Sequence, residues 1–261
     1  MKTPFFQIDA FSSKIFGGNP AAVCILESWL GTDVLQFIAA ENNLSETAFL
    51  VPKSRGRYDL RWFTPTVEVD LCGHATLASA FAIFSFVDST LTVVDFETAS
   101  GLLSVVKSGG LLSMDFPARR PEPVEKSPVI AQVLGAEPSE ILKSRDLLVV
   151  FEDEYTIRNM KPDFEKLKQI RGAFAVIVTA QGEKSDFVSR FFAPNAGIPE
   201  DPVTGSAHCT LIPYWADRLK KNQLHAFQLS KRGGELFCEN AGDRVRISGH
   251  AVLYASGELY L

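Results

Sequence analysis

The chain of 261 residues repeats itself at about half its length. Arg61-Trp62-Phe63-Thr64-Pro65 returns as Arg190-Phe191-Phe192-Ala193-Pro194, with Phe63 and Phe192 129 positions apart. Downstream of each block a glycine opens an Ala-rich apolar run. The first run is Cys72-Gly73-His74-Ala75-Thr76-Leu77 and the second Thr204-Gly205-Ser206-Ala207-His208-Cys209, with the glycines 132 apart. Amphipathic segments starting at Asp33 and Asp163 are separated by 130. Three displacements close to half the length point to a duplicated unit. Two pseudo-symmetric lobes are therefore expected, at 1–117 and 118–261, with the last strand free to cross back to the first lobe. The segment 117–128, which carries four prolines, reads as the linker.

Each lobe mixes strands and helices, so the fold class is α+β. Thirteen Val-, Phe- and Thr-rich runs read as strands, the first at 5–10 and the last at 251–254. Surface helices are expected at 32–41, 128–134 and 162–171. Thr32 or Asp33 is placed to cap the first, and Pro128 and Pro162 suit first-turn positions. The runs 74–87 and 205–219 differ in kind. They are apolar on nearly every face, so each helix must be enclosed on all sides by a sheet curled around it. Pro213 is expected to kink or break the second.

Composition narrows the function. Twenty-six Lys and Arg against 31 Asp and Glu leave a formal charge of −5, with no long basic cluster. Nucleic acid is therefore not an expected partner, because its binders need a basic face to displace counterions. No run reaches a membrane-spanning length, and residues 1–6 lack the apolar core of a signal peptide. The four cysteines (Cys24, Cys72, Cys209 and Cys238) are too sparse for a disulfide framework, which favours reduced thiols and a cytoplasmic setting.

The glycine-led helix starts are where chemistry is expected. The first backbone N–H groups of a helix have no intrahelical partner and carry partial positive charge, so they bind anions without Lys or Arg. With lobes that face each other, both starts, capped at Gly73-His74 and Gly205-Ser206, would serve one small carboxylate substrate. Polar residues gather near these points in the sequence: Asn19 in a Gly-Gly-Asn-Pro turn, Glu46 entering a strand, His74, Asp201 and Ser206. Cys72 and His74 are too close for a known zinc pattern, and no second Cys/His pair exists, so no metal is expected. HExxH, Walker A, GxGxxG and GxSxG strings are absent. General acid–base work by Glu, His and Asp remains.

These residues resemble a known family. Asp9-Ala10-Phe11 with Gly18-Asn19-Pro20, Asn43-Leu44-Ser45-Glu46-Thr47, Phe63-Thr64-Pro65, Cys72-Gly73-His74 and Glu200-Asp201-Pro202-Val203-Thr204-Gly205-Ser206-Ala207 are similar, in order and spacing, to the PhzF family of phenazine-biosynthesis isomerase-like proteins. The resemblance implies the diaminopimelate epimerase-like fold, with a barrel-like mixed sheet around a central helix in each lobe, and a homodimer. It implies a cofactor-independent isomerase that moves a proton within a small carboxylate-bearing metabolite. In that pattern Glu46 is the acid/base, His74 and Asp201 are catalytic partners, and Asn19, Gly73, Gly205 and Ser206 bind substrate.

Departures from the pattern bear on substrate. The phenazine-making members have Ala-Gly-His-Pro where this chain has Cys72-Gly73-His74-Ala75, and small residues where His208 and Cys209 stand. Epimerases of the fold use a cysteine at each helix start, and here only Cys72 matches one. Two alternatives accompany the isomerase: a non-catalytic small-molecule-binding or interaction protein on the same fold, and a Cys72-dependent epimerase.

Overall fold

A computed structural model describes residues 2–125, 127–170 and 172–261. The chain divides into two compact units, Met1–Asp115 with Ser248–Leu261, and Phe116–Ile247. The expected bounds were 1–117 and 118–261 with the last strand crossing back. The expected helix 162–171 and the expected linker 117–128 include positions 171 and 126, which lie outside the described residues. The fold is mixed α+β.

In the first unit Lys2–Ala10 lies between Asn19–Ile25 and Ala251–Tyr260, antiparallel to both. Asn19–Ile25 runs parallel to Glu46–Ser54, and the connection is the helix Thr32–Asn42. Glu46–Ser54 pairs antiparallel with Arg57–Phe63, which runs parallel to Val93–Thr98. That second parallel connection carries the first central helix, Gly73–Ala82. The two helices take different sides because their surfaces differ. Thr32–Asn42 buries only Leu35, Ile38 and Ala39, which pack with Cys24, Phe49 and Phe63. The first central helix buries every residue from His74 to Ala80. Strand Asn19–Ile25 is accordingly covered on both faces and is apolar almost throughout.

The second unit repeats this plan. Leu147–Val150 runs parallel to Val176–Gln181, across a connection that holds the short helices Glu154–Asn159 and Phe164–Leu167. Val176–Gln181 pairs antiparallel with Phe187–Ala193, which runs parallel to Gln223–Gln228. The second central helix, Gly205–Leu219, makes that connection. Phe187 stacks on its Trp215, whose indole N–H donates to Thr179 Oγ1 at 2.9 Å. Gln223–Gln228, like Glu140–Lys143 and Ile198–Asp201, is a strand not expected from composition.

Several expectations are corrected by local chemistry. Helix Thr32–Asn42 has Gly31 at its N-cap and no side-chain cap, so neither Thr32 nor Asp33 has that role. Asp163, not Pro162, opens the helix Phe164–Leu167, its carboxylate accepting from the Lys166 amide. The first central helix stops as an α-helix at Ala82 and widens into a π-turn over Ile83–Val87, where the Asp88 amide reaches back five residues to Ile83 O. The second central helix continues through Pro213 instead of breaking. Proline removes the N–H that would bond Cys209 O, and that carbonyl instead accepts the Arg119 amide at 2.8 Å. The carbonyl that the proline deprives of its helical partner is thus satisfied from outside the helix. No described helix is long and apolar enough to cross a membrane.

Like Thr210, His208 is a buried polar residue of the second central helix. It is fully buried, its Nδ1–H donates to Thr204 O at 2.8 Å, and its ring lies 5.9 Å from that of Phe187. Burial pushes its pKa down to about 4. Between about pH 6.5 and 4 the unfolded chain takes up a proton that the folded chain refuses, so stability falls as pH drops through that window. The full cost is about 3 kcal/mol. His208→Gln, which keeps a donor but cannot ionise, is expected to lose this part of the acid slope. Urea unfolding of both proteins at pH 7 and pH 4.5 measures it, and equal slopes would contradict the buried neutral imidazole.

Candidate active site

The first helix start gathers residues from three elements. The helix Thr32–Asn42 ends at Asn43, whose left-handed backbone lets its N–H return to Ala39 O and turns the chain into Glu46. Glu46 opens its strand, with its Cα opposite Ala21 on the strand that Asn19 opens. Gly18 precedes Asn19 at φ +64°, and a Cβ there would stand 2.1 Å from Ala10 O, so the turn demands glycine. His74 is the second residue of the central helix. Parallel register and the helix connection thus bring the starts of two strands and a helix together.

The imidazole of His74 sits at the middle. Its Nε2 is 2.9 Å from Glu46 Oε2, with the two side chains only 6% and 12% exposed. The contact is close but off the N–H axis, so it is an ion-pair approach and not a well-aligned hydrogen bond. On the other edge of the ring, Nδ1 lies 3.2 Å from Asn19 Nδ2 and 3.5 Å from Cys72 Sγ. When Nδ1 is bare it accepts from the Asn19 amide or the thiol. When protonated it donates, and the sulfur is an available acceptor.

Charge decides which state holds. Burial alone pulls the His74 pKa down, but the Cys72 and Glu46 groups outweigh it and raise the imidazole well above its ordinary value. Burial, with the Glu46 charge adding to it, pushes Cys72 up to about 11, so at neutral pH it is a thiol and the charge facing His74 is the Glu46 carboxylate. The result is a buried imidazole, pushed toward its protonated form, between the Glu46 side chain and a neutral thiol. Glu46, Cys72 and His74 also place one donor atom each within 4.8 Å of the others. The ring, however, turns Nε2 to Glu46 and Nδ1 to Cys72, on opposite edges. Two ring edges with different partners suit the passing of a proton between them.

The second helix start, in the second unit, holds the other expected residues. Asp201 closes the strand Ile198–Asp201, and its Oδ2 accepts from Thr204 Oγ1 at 2.5 Å. Ser206 Oγ accepts from Arg145 Nη2 at 3.2 Å. Arg145 is paired with the fully buried Asp146 and lies over the Phe174 ring. Neither helix is capped where expected: the N-cap residues are Cys72 and Thr204, one position earlier, and neither side chain caps its helix. Gly73 and Gly205 are the first helical residues, so their uncapped amides carry the positive end of each helix.

Sequence reasoning did not single out Thr204, Gln228 or Arg145. Gln228 did carry a signal. In Gln223–Gln228 the buried positions alternate as Leu224, Ala226 and Gln228, so an amide falls in line with core residues.

Comparison with known proteins agrees with this geometry. The family model described as phenazine biosynthesis-like protein matches residues 8–257. A Pseudomonas aeruginosa protein named an uncharacterized isomerase is 54% identical over 263 residues, covering all of both chains. The crystal structure of a PhzF-family phenazine biosynthesis protein from Enterococcus faecalis superposes with a TM-score of 0.98 at 49% identity, again over all of both chains. A hydroxyproline epimerase from Agrobacterium vitis, 11% identical, superposes at 0.63 over 99% of this chain and 92% of its own, a likeness of fold alone. The expected epimerase-like architecture is thereby borne out. A family match over residues 8–257, with a 54% identical relative aligned along the whole of both chains, makes this chain a member of the PhzC-PhzF family of phenazine biosynthesis-like proteins.

Proposed function

We propose that the protein is an isomerase that moves a proton within a small carboxylate-bearing metabolite, with Glu46 as the acid/base. The observation that carries this reading is the buried 2.9 Å approach of His74 Nε2 to Glu46 Oε2. The Glu46 carboxyl lies beside a ring with which it can share a proton. Its two oxygens can receive the proton at one position and return it at another with little movement. The isomerase name of the 54% identical relative supports the reaction class. The uncapped helix start at Gly73 supplies amides for the substrate's carboxylate. Asn19 enters as a substrate contact at this helix start, and Asp201, Gly205 and Ser206 enter as the corresponding residues at the helix start of the second unit. No cofactor is assigned a role in the proton transfer. We further propose a homodimer in the cytoplasm, for which the four buried free cysteines are chemically suited.

The Cys72-dependent epimerase is disfavoured by a thiol pushed up to about 11, since the thiolate is the base such chemistry needs.

Proton exchange tests both statements. The protein is incubated in D₂O with a panel of small unsaturated amino and hydroxy acids, and deuterium uptake is read by mass spectrometry. Glu46→Gln is expected to cut uptake by about a hundredfold or more while the protein stays folded, the usual scale for a lost acid/base group. Full exchange in that variant overturns the mechanism. Binding without exchange across the panel favours the non-catalytic alternative. Cys72→Ser is expected to keep exchange within about tenfold of the unchanged protein, because the hydroxyl preserves a donor and acceptor beside Nδ1. Abolished exchange in a folded Cys72→Ser variant would return Cys72 to the chemistry.

A further inference from the structure

Thr204 is the N-cap of the second central helix, and threonine at that position ordinarily turns its hydroxyl onto the helix to accept a first-turn amide. Here it does not. The hydroxyl donates to Asp201 Oδ2 at 2.5 Å, while the same oxygen accepts from Gln228 Nε2 at 3.1 Å. Gln228 Oε1 also accepts the Thr204 amide at 2.9 Å, and its Nε2 donates to Asp201 O at 2.7 Å. The remaining group, Thr204 O, accepts the His208 Nδ1–H at 2.8 Å. Every polar group of Thr204 is therefore committed, and two of its partners, Gln228 and His208, are fully buried.

We propose that Gln228 is a positioning residue that diverts the Thr204 hydroxyl from capping its own helix to holding Asp201. The physical basis is competition for one hydroxyl. Thr204 Oγ1 has a single proton and two lone pairs. With Gln228 Nε2 on one lone pair and Asp201 taking the proton, the rotamer that faces the helix amides is not used. Two consequences follow together: the Asp201 carboxylate is held by the Thr204 hydroxyl, and the helix start at Gly205 and Ser206 is left uncapped by its N-cap side chain. Gln228 reaches this point from a strand 24 residues along the chain, so its fully satisfied amide costs nothing in buried polarity while it specifies the turn. Its importance to activity rests on the assignment of Asp201 as a substrate contact, but its effect on the helix start does not.

The test uses the sign of an effect that simple loss of structure cannot mimic. Gln228→Met has similar volume and no hydrogen-bonding amide. In that variant the Thr204 hydroxyl is released to cap the helix. Hydrogen exchange of the Ser206 and Ala207 amides, followed by NMR on the ¹⁵N-labelled protein without substrate, is then expected to slow by about fivefold, the scale of one cap. Loosening of the fold would speed it. In a Thr204→Val background, which has no hydroxyl to release, Gln228→Met is expected to give no slowing. Where Gln228→Met does not fold, Gln228→Glu is read the same way in both backgrounds, with the smaller change that a retained acceptor allows. Unchanged or faster exchange in the folded single variant, or equal slowing with and without the Thr204 hydroxyl, overturns the proposal. Because no substrate is present, this outcome is independent of the Glu46→Gln exchange experiment, and either can fail alone.

Discussion

A helix that is apolar on every side has to be surrounded, and its first turn still carries N–H groups that nothing inside the helix can satisfy. Much of this molecule follows from that pair of facts. The helices Gly73–Ala82 and Gly205–Leu219 each lie in the connection between two parallel strands, so each unit wraps strands around its own helix. Enclosure keeps polar side chains away from most of the helix surface. It leaves the N-terminal turn as the place where polar chemistry is both needed and tolerated. His74 and Ser206, each one residue past a glycine, stand at those turns.

The two starts solve the same electrostatic problem differently. In the first unit the N-cap is Cys72, whose buried, protonated thiol adds no charge, and an anion, Glu46, comes from a neighbouring strand to face His74. In the second unit a threonine stands at the cap, and a buried glutamine and histidine together with Asp201 occupy all its hydrogen-bonding groups. In both, the side chain at the N-cap position leaves the helix uncapped.

The duplicated strings Arg61–Pro65 and Arg190–Pro194, and the glycines at 73 and 205, reported the two-unit plan because each unit must bury the same kind of helix with the same connection. The long strands were legible for the same reason: residues such as those of Asn19–Ile25 and Val176–Gln181 are buried on both faces and so must be apolar. Gln223–Gln228 and Ile198–Asp201 were not, because strands that carry Gln, Glu and Asp for hydrogen bonding lose the alternation by which strands are recognised. Helix ends were misjudged where backbone geometry overrode side-chain preference, as at Gly31 and Pro213.

For the site, the residue types alone named Glu46, His74 and Asp201, since acid–base chemistry and glycine-led helix starts draw on few side chains. What the sequence by itself determined is therefore the repeat, the buried helices and the chemical inventory at their starts. Tertiary structure alone decided the partnerships: Asn19 against His74 across 55 residues, Glu46 on the opposite ring edge, and Gln228 holding Thr204. Such contacts depend on strand register and on how deeply a helix sits in its sheet. Hydrogen bonds and ion pairs change with tenths of an ångström and with the loss of water around them, and neither distance nor desolvation is written in the order of residues.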